Sequence, residues 1–494
     1  MPRPAEGLEA TGRPAVAPEP PVPAGTARSA PGAAPPRAWR LLVALDRLVL
    51  SVFFRRVEVE GRERVPASGP LVVVANHVNG LIDPMLVLGC LPLVPRFLGK
   101  STLWAIPPLR PFLRWARVIP VYRRSDAADT TRNAETFATS RAALAAGGAV
   151  AIFPEGRSHN EPGLTPLKTG AARIALEAEA EHGPLGVRVL PVGLVFDRRE
   201  KFRSRALVEV GEPFPVVEGG ARPAGPPPDP EAVRELTARI DRALQEVTVS
   251  FATWEEARLV ARAAEIYARP ALDVPRRSSL ARAAAARRAF AAGHRRLAKL
   301  HPERVAAVAE AVRRYDGLLA AAGLRDEQVA AAYDALPVLR FLRRTLATLL
   351  VRLPLALVGT ALNAIPFQVV SAVARRVAPA DQKATWKVFP SLLVYPATWL
   401  AEAAVIGWGA AKAWDAGRAW AAALAVLVLA PLSGRVALRF HDRRSRLAGE
   451  IRAFLVLRTR RRFAAELRAE RADVRRRVAG LVELDRTRVD RAEP

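Results

Sequence analysis

The sequence predicts an α/β domain with a mostly buried sheet, followed by a helical region and C-terminal membrane helices. Three observations lead there. Between residues 57 and 215, short runs rich in Val, Ile and Phe alternate with helix-like stretches. Residues 231–336 carry apolar side chains at three- and four-residue spacing in Ala- and Arg-rich sequence. Three long apolar segments then follow between 353 and 434. Strand-like runs separated by helical lengths are the pattern of a sheet covered by helices.

Taken in order, residues 1–36 are mostly Pro, Ala, Gly and Glu without periodicity, a composition that cannot bury enough surface to order itself. They contain no continuous apolar run of the kind a secretory signal needs. Residues 38–56 read as a helix with a broad Leu, Val and Phe face and with Arg40, Arg47, Arg55 and Arg56 along it. At 1.5 Å per residue it reaches about 28 Å, and the internal Asp46 and Arg47 argue against spanning a bilayer. An interfacial helix fits better, and a core-packing helix is the alternative. The expected strands are LVVVANH (71–77), RVIPVYR (117–123), GAVAIFPEG (148–156), VRVLPVGLVF (187–196) and ALVEVGEPF (206–214). Segments 127–147 and 166–182 have helical composition, and the Pro- and Gly-rich stretch 216–230 is a surface loop.

Residues 231–336 read as helices punctuated by Pro270, Pro275 and Pro302. Leu353–Ala374 is uncharged and long enough for a hydrocarbon core of ~30 Å. Val388–Ala411 is interrupted only by Glu402, and Ala419–Gly434 is flanked by Arg418 and Arg435. Trp386, Trp399, Trp408, Trp414 and Trp420 cluster here, as an interfacial aromatic belt requires. The expected units are a tail (1–36), an interfacial helix (37–56), an α/β domain (57–250), a helical region (251–336), membrane helices (337–440) and a basic helical tail (441–494), solvated or lying on a membrane.

Seventy-five Lys and Arg face 48 Asp and Glu, a formal charge of +27 over 494 residues. Such a surface is drawn to nucleic acid, anionic lipid or phosphorylated substrates, and charge alone does not choose. No aromatic-rich basic motif or zinc finger supports nucleic acid. A single cysteine, Cys90, excludes a disulfide framework, an iron–sulfur cluster and a structural zinc site. His159 is a stray candidate for a metal ligand, but no second ligand lies at sensible spacing from it, and no resident cofactor is expected.

Two segments carry the chemistry. In Asn76-His77-Val78-Asn79-Gly80-Leu81-Ile82-Asp83-Pro84, a His and an Asp directly follow a buried strand, where α/β sites are built. A turn starting a helix can bring the two together. The carboxylate then fixes the imidazole tautomer, and the other ring nitrogen can take a proton from a hydroxyl. No G-x-S-x-G nucleophile elbow occurs, so direct attack by a deprotonated acceptor is simpler than a covalent acyl-enzyme. The alternative is a helix-capping Asp beside a core His. In Phe153-Pro154-Glu155-Gly156-Arg157-Ser158-His159-Asn160, Gly156 permits an unusual dihedral, Arg157 offers a donor fork for phosphate, and Glu155 can orient donors or bind a substrate hydroxyl. The alternative is a polar loop with a surface salt bridge. Lys100 and Arg123 each follow an apolar run and can add positive charge near a phosphate, or be plain surface cations.

Together these segments resemble the glycerolipid acyltransferase superfamily. NHVNGLIDP is similar to its first block, RVIPVYR to the second, IFPEGRSHNEPGLTPLKTGAARIAL to the third and LPVGLVF to the fourth. Five residues lie between His77 and Asp83 where four are commoner. That longer form, with SHN after the third block, resembles the fungal-type glycerol-3-phosphate/dihydroxyacetone-phosphate acyltransferases and their bacterial relatives. So do IDRALQEVTVSFATWEEARLVARAAEIYARP, AGLRDEQV, NAIPFQVVSAVARR and KATWKV, and the resemblance spans roughly residues 40–410. It implies an acyltransferase-type α/β fold, His77 as general base and Asp83 as its partner. It further implies that Glu155, Gly156 and Arg157, with Arg123 assisting and Lys100 nearby, bind the glycerol-phosphate part of an acceptor. The donor would be acyl-CoA or an acyl carrier protein thioester. The expected activity is O-acyl transfer to glycerol-3-phosphate or 1-acylglycerol-3-phosphate. Another lysophospholipid acceptor, or a catalytically silent scaffold holding anionic lipid, stays open.

Arg340, Arg343 and Arg344 precede the first apolar segment, and Arg435, Arg439, Arg443 and Arg444 follow the last. The positive-inside tendency puts both flanks in the cytoplasm, which requires an even number of crossings. One of the three segments, the one with Pro354 and Pro366, is therefore expected to be re-entrant or interfacial. The expected location is the cell inner (cytoplasmic) membrane, with the site facing the cytoplasm.

Overall fold

The computed structural model describes residues 37–123, 126, 129–199, 201–219, 225–268, 279–331, 335–376 and 383–492. The expectation for residues 1–36 lies outside them. In chain order, α1 (Arg37–Phe53), β1 (Arg56–Glu60), β2 (Leu71–Ala75), α2 (Ile82–Cys90), β3 (Arg96–Lys100), α3 (Arg110–Trp115), β4 (Ile119–Val121), α4 (Asn133–Ala145), β5 (Ala149–Ile152), α5 (Gly170–His182), β6 (Arg188–Phe196), β7 (Arg205–Val210) and β8 (Phe214–Pro215) build the α/β part. Helices α6 (Pro230–Val247), α7 (Trp254–Ala268), α8 (Leu280–Leu300), α9 (Pro302–Ala322) and α10 (Asp326–Val329) follow. The chain ends in the long helices α11 (Ala335–Arg376), α12 (Thr385–Ala413), α13 (Ala416–Thr459) and α14 (Arg461–Ala492).

The sheet order is β1-β7-β6-β2-β5-β3-β4, with β8 added to β6. β2, β3, β4, β5 and β6 run parallel to their neighbours in that stretch, and β7 and β8 are antiparallel to β6. Strand alternation sends successive side chains to opposite faces. Val73 and Ala75 join a core with α1, α2 and the start of α12, whereas Val72 and Val74 join one with α4, α5 and α6. Both faces are covered, which is why the inner strands read as unbroken apolar runs. Two strands escaped the sequence reading. β1 (RVEVE) has charged residues at alternate positions, and β3 (RFLGK) is short and bounded by cations.

α1 is both docked and exposed. Leu42, Asp46, Leu50 and Phe53 are buried, while Leu41, Leu45 and Leu48 face outward. At the other sheet edge partner, Glu58 of β1 accepts the N–H groups of Leu280 (2.7 Å) and Ala281 (3.3 Å) at the start of α8. Arg288 of α8 grips Glu209 of β7 with two hydrogen bonds of 2.7 and 2.5 Å. The helical region is thereby fixed to the β1/β7 end of the sheet.

The reading of 441–494 as a separate basic tail differs from the structure. α13 runs unbroken through residue 440, so no boundary falls there. α14 buries Ala464, Leu467, Val474 and Val478 against α7 and α9. These residues recur at helical spacing beneath a coat of arginines. The amphipathic face is narrow but sufficient for packing.

Among the described residues, three helices are long and apolar enough to cross a membrane: Leu339–Arg376, Thr385–Ala413 and Ala416–Thr459. They pack through small residues, as helices do in lipid. A Cβ at Gly359 of α11 would collide with the Ser433 carbonyl of α13. Beside that contact, the Asn363 amide donates to the carbonyls of Gly359 (2.8 Å) and Ala430 (3.0 Å) and accepts from Trp399 Nε1 (3.2 Å). One side chain thus joins all three helices.

Candidate active site

The parallel strands deliver the candidate residues to one edge of the sheet. His77 follows β2, Glu155 to Arg157 follow β5, Lys100 ends β3, Arg123 follows β4 and Arg199 follows β6. With strands about 4.8 Å apart, this edge places His77 centrally and Arg123 three strands away.

The Asn76 amide donates to the Leu194 carbonyl (3.1 Å) and accepts its N–H (2.7 Å), pinning the end of β2 to β6. The chain then turns into α2. Asp83, in the first turn of α2, is fully buried. Its Oδ2 accepts the N–H groups of Val78 (2.7 Å) and Asn79 (2.8 Å) and meets His77 Nδ1 at 2.9 Å. The turn between His and Asp is therefore closed by the same carboxylate that holds the ring. A carboxylate can only accept, so the ring proton sits on Nδ1 and Nε2 keeps its lone pair. The imidazole stacks on Phe153, centroid to centroid 4.3 Å, and is 15% exposed.

Glu155 differs from the reading that gave it a substrate hydroxyl. Its oxygens are taken by protein donors: His77 N–H (2.6 Å), Thr165 N–H (2.9 Å), Thr165 Oγ1 (3.0 Å) and the ring of His159. Glu161 N–H donates to His159 Nδ1 (3.1 Å), which leaves the ring proton on Nε2, facing Glu155. Burial alone would lift the Glu155 carboxyl, but the bonds from His159, Thr165 and His77 outweigh it and hold it below the ordinary carboxylate range. His159 N–H also donates to the His77 carbonyl (3.1 Å). The two loops are stitched together through main chain and Glu155.

Gly156 sits at φ +75°, a left-handed conformation that glycine adopts at little cost. Arg157 is exposed on the loop joined to His77, with no hydrogen bond or ion pair among the described residues. Lys100 is exposed, and Arg123 is half-buried. Burial lowers the Arg123 guanidinium from its usual value, opposed by Asp126.

Two groups at this edge were missed in the sequence. Arg199 lies over the Trp254 ring (5.2 Å) and donates to the Glu161 carbonyl (3.1 Å). Burial lowers its pKa, and Asp83 and Glu155 pull it back up. Nothing in the charged run DRREKFRS marks that arginine out. Thr385, opening α12, accepts the Leu81 N–H (3.0 Å), so a membrane helix touches the loop between His77 and Asp83.

Asp83 is fully buried, His77 is half-buried against it, and Arg157 stands exposed on the adjoining loop, an arrangement chemically able to take a proton from a hydroxyl beside an anionic group. Residues 56–195 match the Acyltransferase family, and residues 275–485 match the glycerol-3-phosphate acyltransferase 2 C-terminal domain. The two matches fall on separate parts of the chain, the first on the α/β part and the second on the helices that follow it. It is similar to glycerol-3-phosphate O-acyltransferase 1 of Saccharomyces cerevisiae, 38% identical over 125 residues, covering 25% of this chain and 16% of that protein. It is also similar to glycerol-3-phosphate O-acyltransferase 2 of the same yeast, 38% identical over 140 residues, 28% of this chain and 19% of that protein. The chain thus spans less than a fifth of either yeast protein. The crystal structure of the 1-acyl-sn-glycerophosphate (LPA) acyltransferase PlsC from Thermotoga maritima aligns with a TM-score of 0.31 at 21% identity, over 42% of this chain and 80% of that chain.

Proposed function

We propose that the chain is a membrane-bound O-acyltransferase that moves a fatty acyl group from a thioester to glycerol-3-phosphate. The reading rests on one observation above all: Asp83, fully buried, holds His77 Nδ1 at 2.9 Å beside a loop that presents Arg157 without a hydrogen bond or ion pair among the described residues. His77 Nε2 takes the proton of the acceptor hydroxyl as its oxygen attacks the thioester carbonyl. The imidazolium is stabilised by Asp83 and returns the proton to the leaving thiolate as the C–S bond breaks. Acceptor phosphate is held by Arg157, with Arg123 and Lys100 adding charge along the same edge. Glu155 and Gly156 shape the loop. The name of the family matched over 275–485 and those of the yeast relatives support glycerol-3-phosphate over 1-acylglycerol-3-phosphate. The donor is acyl-CoA or acyl carrier protein.

Two helices cross the membrane in this reading. α12 starts against the α/β core through Thr385 and Val388, and α13 returns to it where Asp442 meets Arg55 and Arg203. Leu342 near the start of α11 packs against the core of the helical region that also holds Ala453 and Leu457 of α13, beyond Asp442. The connection 377–384 is too short to recross a bilayer of about 40 Å with its headgroups. α11 therefore enters and leaves on one side, and the site faces the cytoplasm, in bacteria from the inner membrane. A reporter at Trp414 is expected outside the cytoplasm and one at the C-terminus inside; the reverse would overturn the topology.

The activity test is acyl transfer from labelled acyl-CoA to glycerol-3-phosphate, 1-acylglycerol-3-phosphate and other lysophospholipids, wild type beside His77→Ala. Transfer to glycerol-3-phosphate that His77→Ala abolishes is expected. Full transfer by the variant would reject the mechanism, and transfer to another acceptor alone would replace the substrate.

A further inference from the structure

A polar cavity lies away from the His77 edge. It occupies about 370 Å³ between the end of α1, the last turn of α2, the start of β1 and residues 435–439 of α13. Gly89 and Cys90 line it, at the opposite end of α2 from Asp83, roughly 10 Å along the helix at 1.5 Å per residue.

Six arginines converge on this cavity: Arg47, Arg55, Arg56, Arg203, Arg435 and Arg439. Three carboxylates stand against them, one being Asp46 beside Gly89 and Arg47. Asp442 takes Arg55 (3.1 Å) and Arg203 (2.8 Å), and Glu58 lies 3.5 Å from Arg56. Arg435 gives one N–H to the Ser51 hydroxyl (3.0 Å), and Arg47 gives its Nε to the Gly89 carbonyl (2.8 Å). Arg439 has no hydrogen bond or ion pair among the described residues. Gathering so many guanidinium groups around one void raises the energy of the empty site, and an anion relieves it. Planar donor forks suit a phosphate.

The walls decide between a free and a lipid-borne phosphate. Leu50, Phe54 and Leu438 line the same cavity. Arg435 directly follows the apolar stretch that ends at Gly434, and Leu41, Leu45 and Leu48 of α1 face outward. The cavity thus stands where hydrocarbon gives way to headgroups. We propose that it binds the phosphate headgroup of an anionic phospholipid, separately from acyl transfer at His77.

The full chain in neutral detergent is titrated with phosphatidate, phosphatidylcholine or inorganic phosphate. Bound lipid is counted by native mass spectrometry, and melting is followed by circular dichroism. Phosphatidate is expected to be retained and to raise the melting temperature. Arg435→Gln with Arg439→Gln is expected to weaken that binding about tenfold or more, as the loss of charge-assisted hydrogen bonds predicts. Arg439→Gln alone removes no hydrogen bond or ion pair among the described residues, keeps the fold and is expected to give a smaller loss. Arg157→Ala, beside His77, is expected to leave binding intact. Unchanged binding in the double variant would overturn the proposal. So would equal retention of phosphatidylcholine, a full effect from inorganic phosphate, or loss on Arg157→Ala.

Discussion

Two buried carboxylates of this chain behave in opposite ways. Glu155, at the His77 edge, has donors on both oxygens and is held below the ordinary carboxylate range against the pull of burial. Asp46 of α1, 5% exposed, packs beside Gly89 with its Oδ2 lacking a hydrogen-bond partner among the described residues. Burial pushes its carboxyl up to about 7, with Arg47 pulling the other way. Burial is common to both, so donors decide the sign. The same division separates the two polar regions. Around His77 nearly every group is committed to a neighbour, which fixes geometry for chemistry. In the arginine-lined cavity, charge is left over for a ligand.

The strongest test of the committed side is His77→Ala, expected to lower acyl transfer by about a thousandfold or more in steady-state assays, the range for a positioned general base. Glu155→Gln is expected to cost about 3 kcal/mol of stability, since one oxygen becomes an NH₂ facing donors in a buried site. Chemical denaturation reads the loss, and kcat should fall with it because the His77 N–H loses its anchor. Glu155 also works with a sign in pH: its contribution is complete above the ordinary carboxylate value and lost as pH falls through its lowered one. Asp46 works in reverse. The folded chain prefers the neutral acid, so stability falls as pH rises toward 7. Between pH 5 and 7 the change is on the order of 2–3 kcal/mol. Melting curves of Asp46→Asn should lack that slope; an identical slope would erase the contrast. Arg199→Gln should have the smallest effect, a rise in KM of about tenfold or less from the loss of one partly buried cation near Asp83.

Much of this was legible before any coordinates. Five of the strand-like runs, the His77–Asp83 pairing and the three apolar helices are written in local pattern. Chemistry between distant segments was not. Glu155 reads as a ligand for substrate because nothing in FPEGRSHN shows that Thr165 and the His77 main chain claim its oxygens. His159, four residues on, looks like a stray metal candidate and turns out to donate to Glu155. α14 reads as solvated or lying on a membrane because its arginines outnumber the four buried apolar residues that dock it. The cavity arginines come from three separate stretches, 47–56, 203 and 435–439, and only folding assembles them.

The first turn of α12 carries a consequence of its own. Ala384 and Val388 are buried in the same core as β2 and α2, and Thr385 holds the Leu81 N–H. The bilayer anchor is therefore a structural wall of the catalytic half rather than a tether. Cutting the chain at residue 336 to obtain a soluble enzyme would open a hole beneath the loop that carries the imidazole.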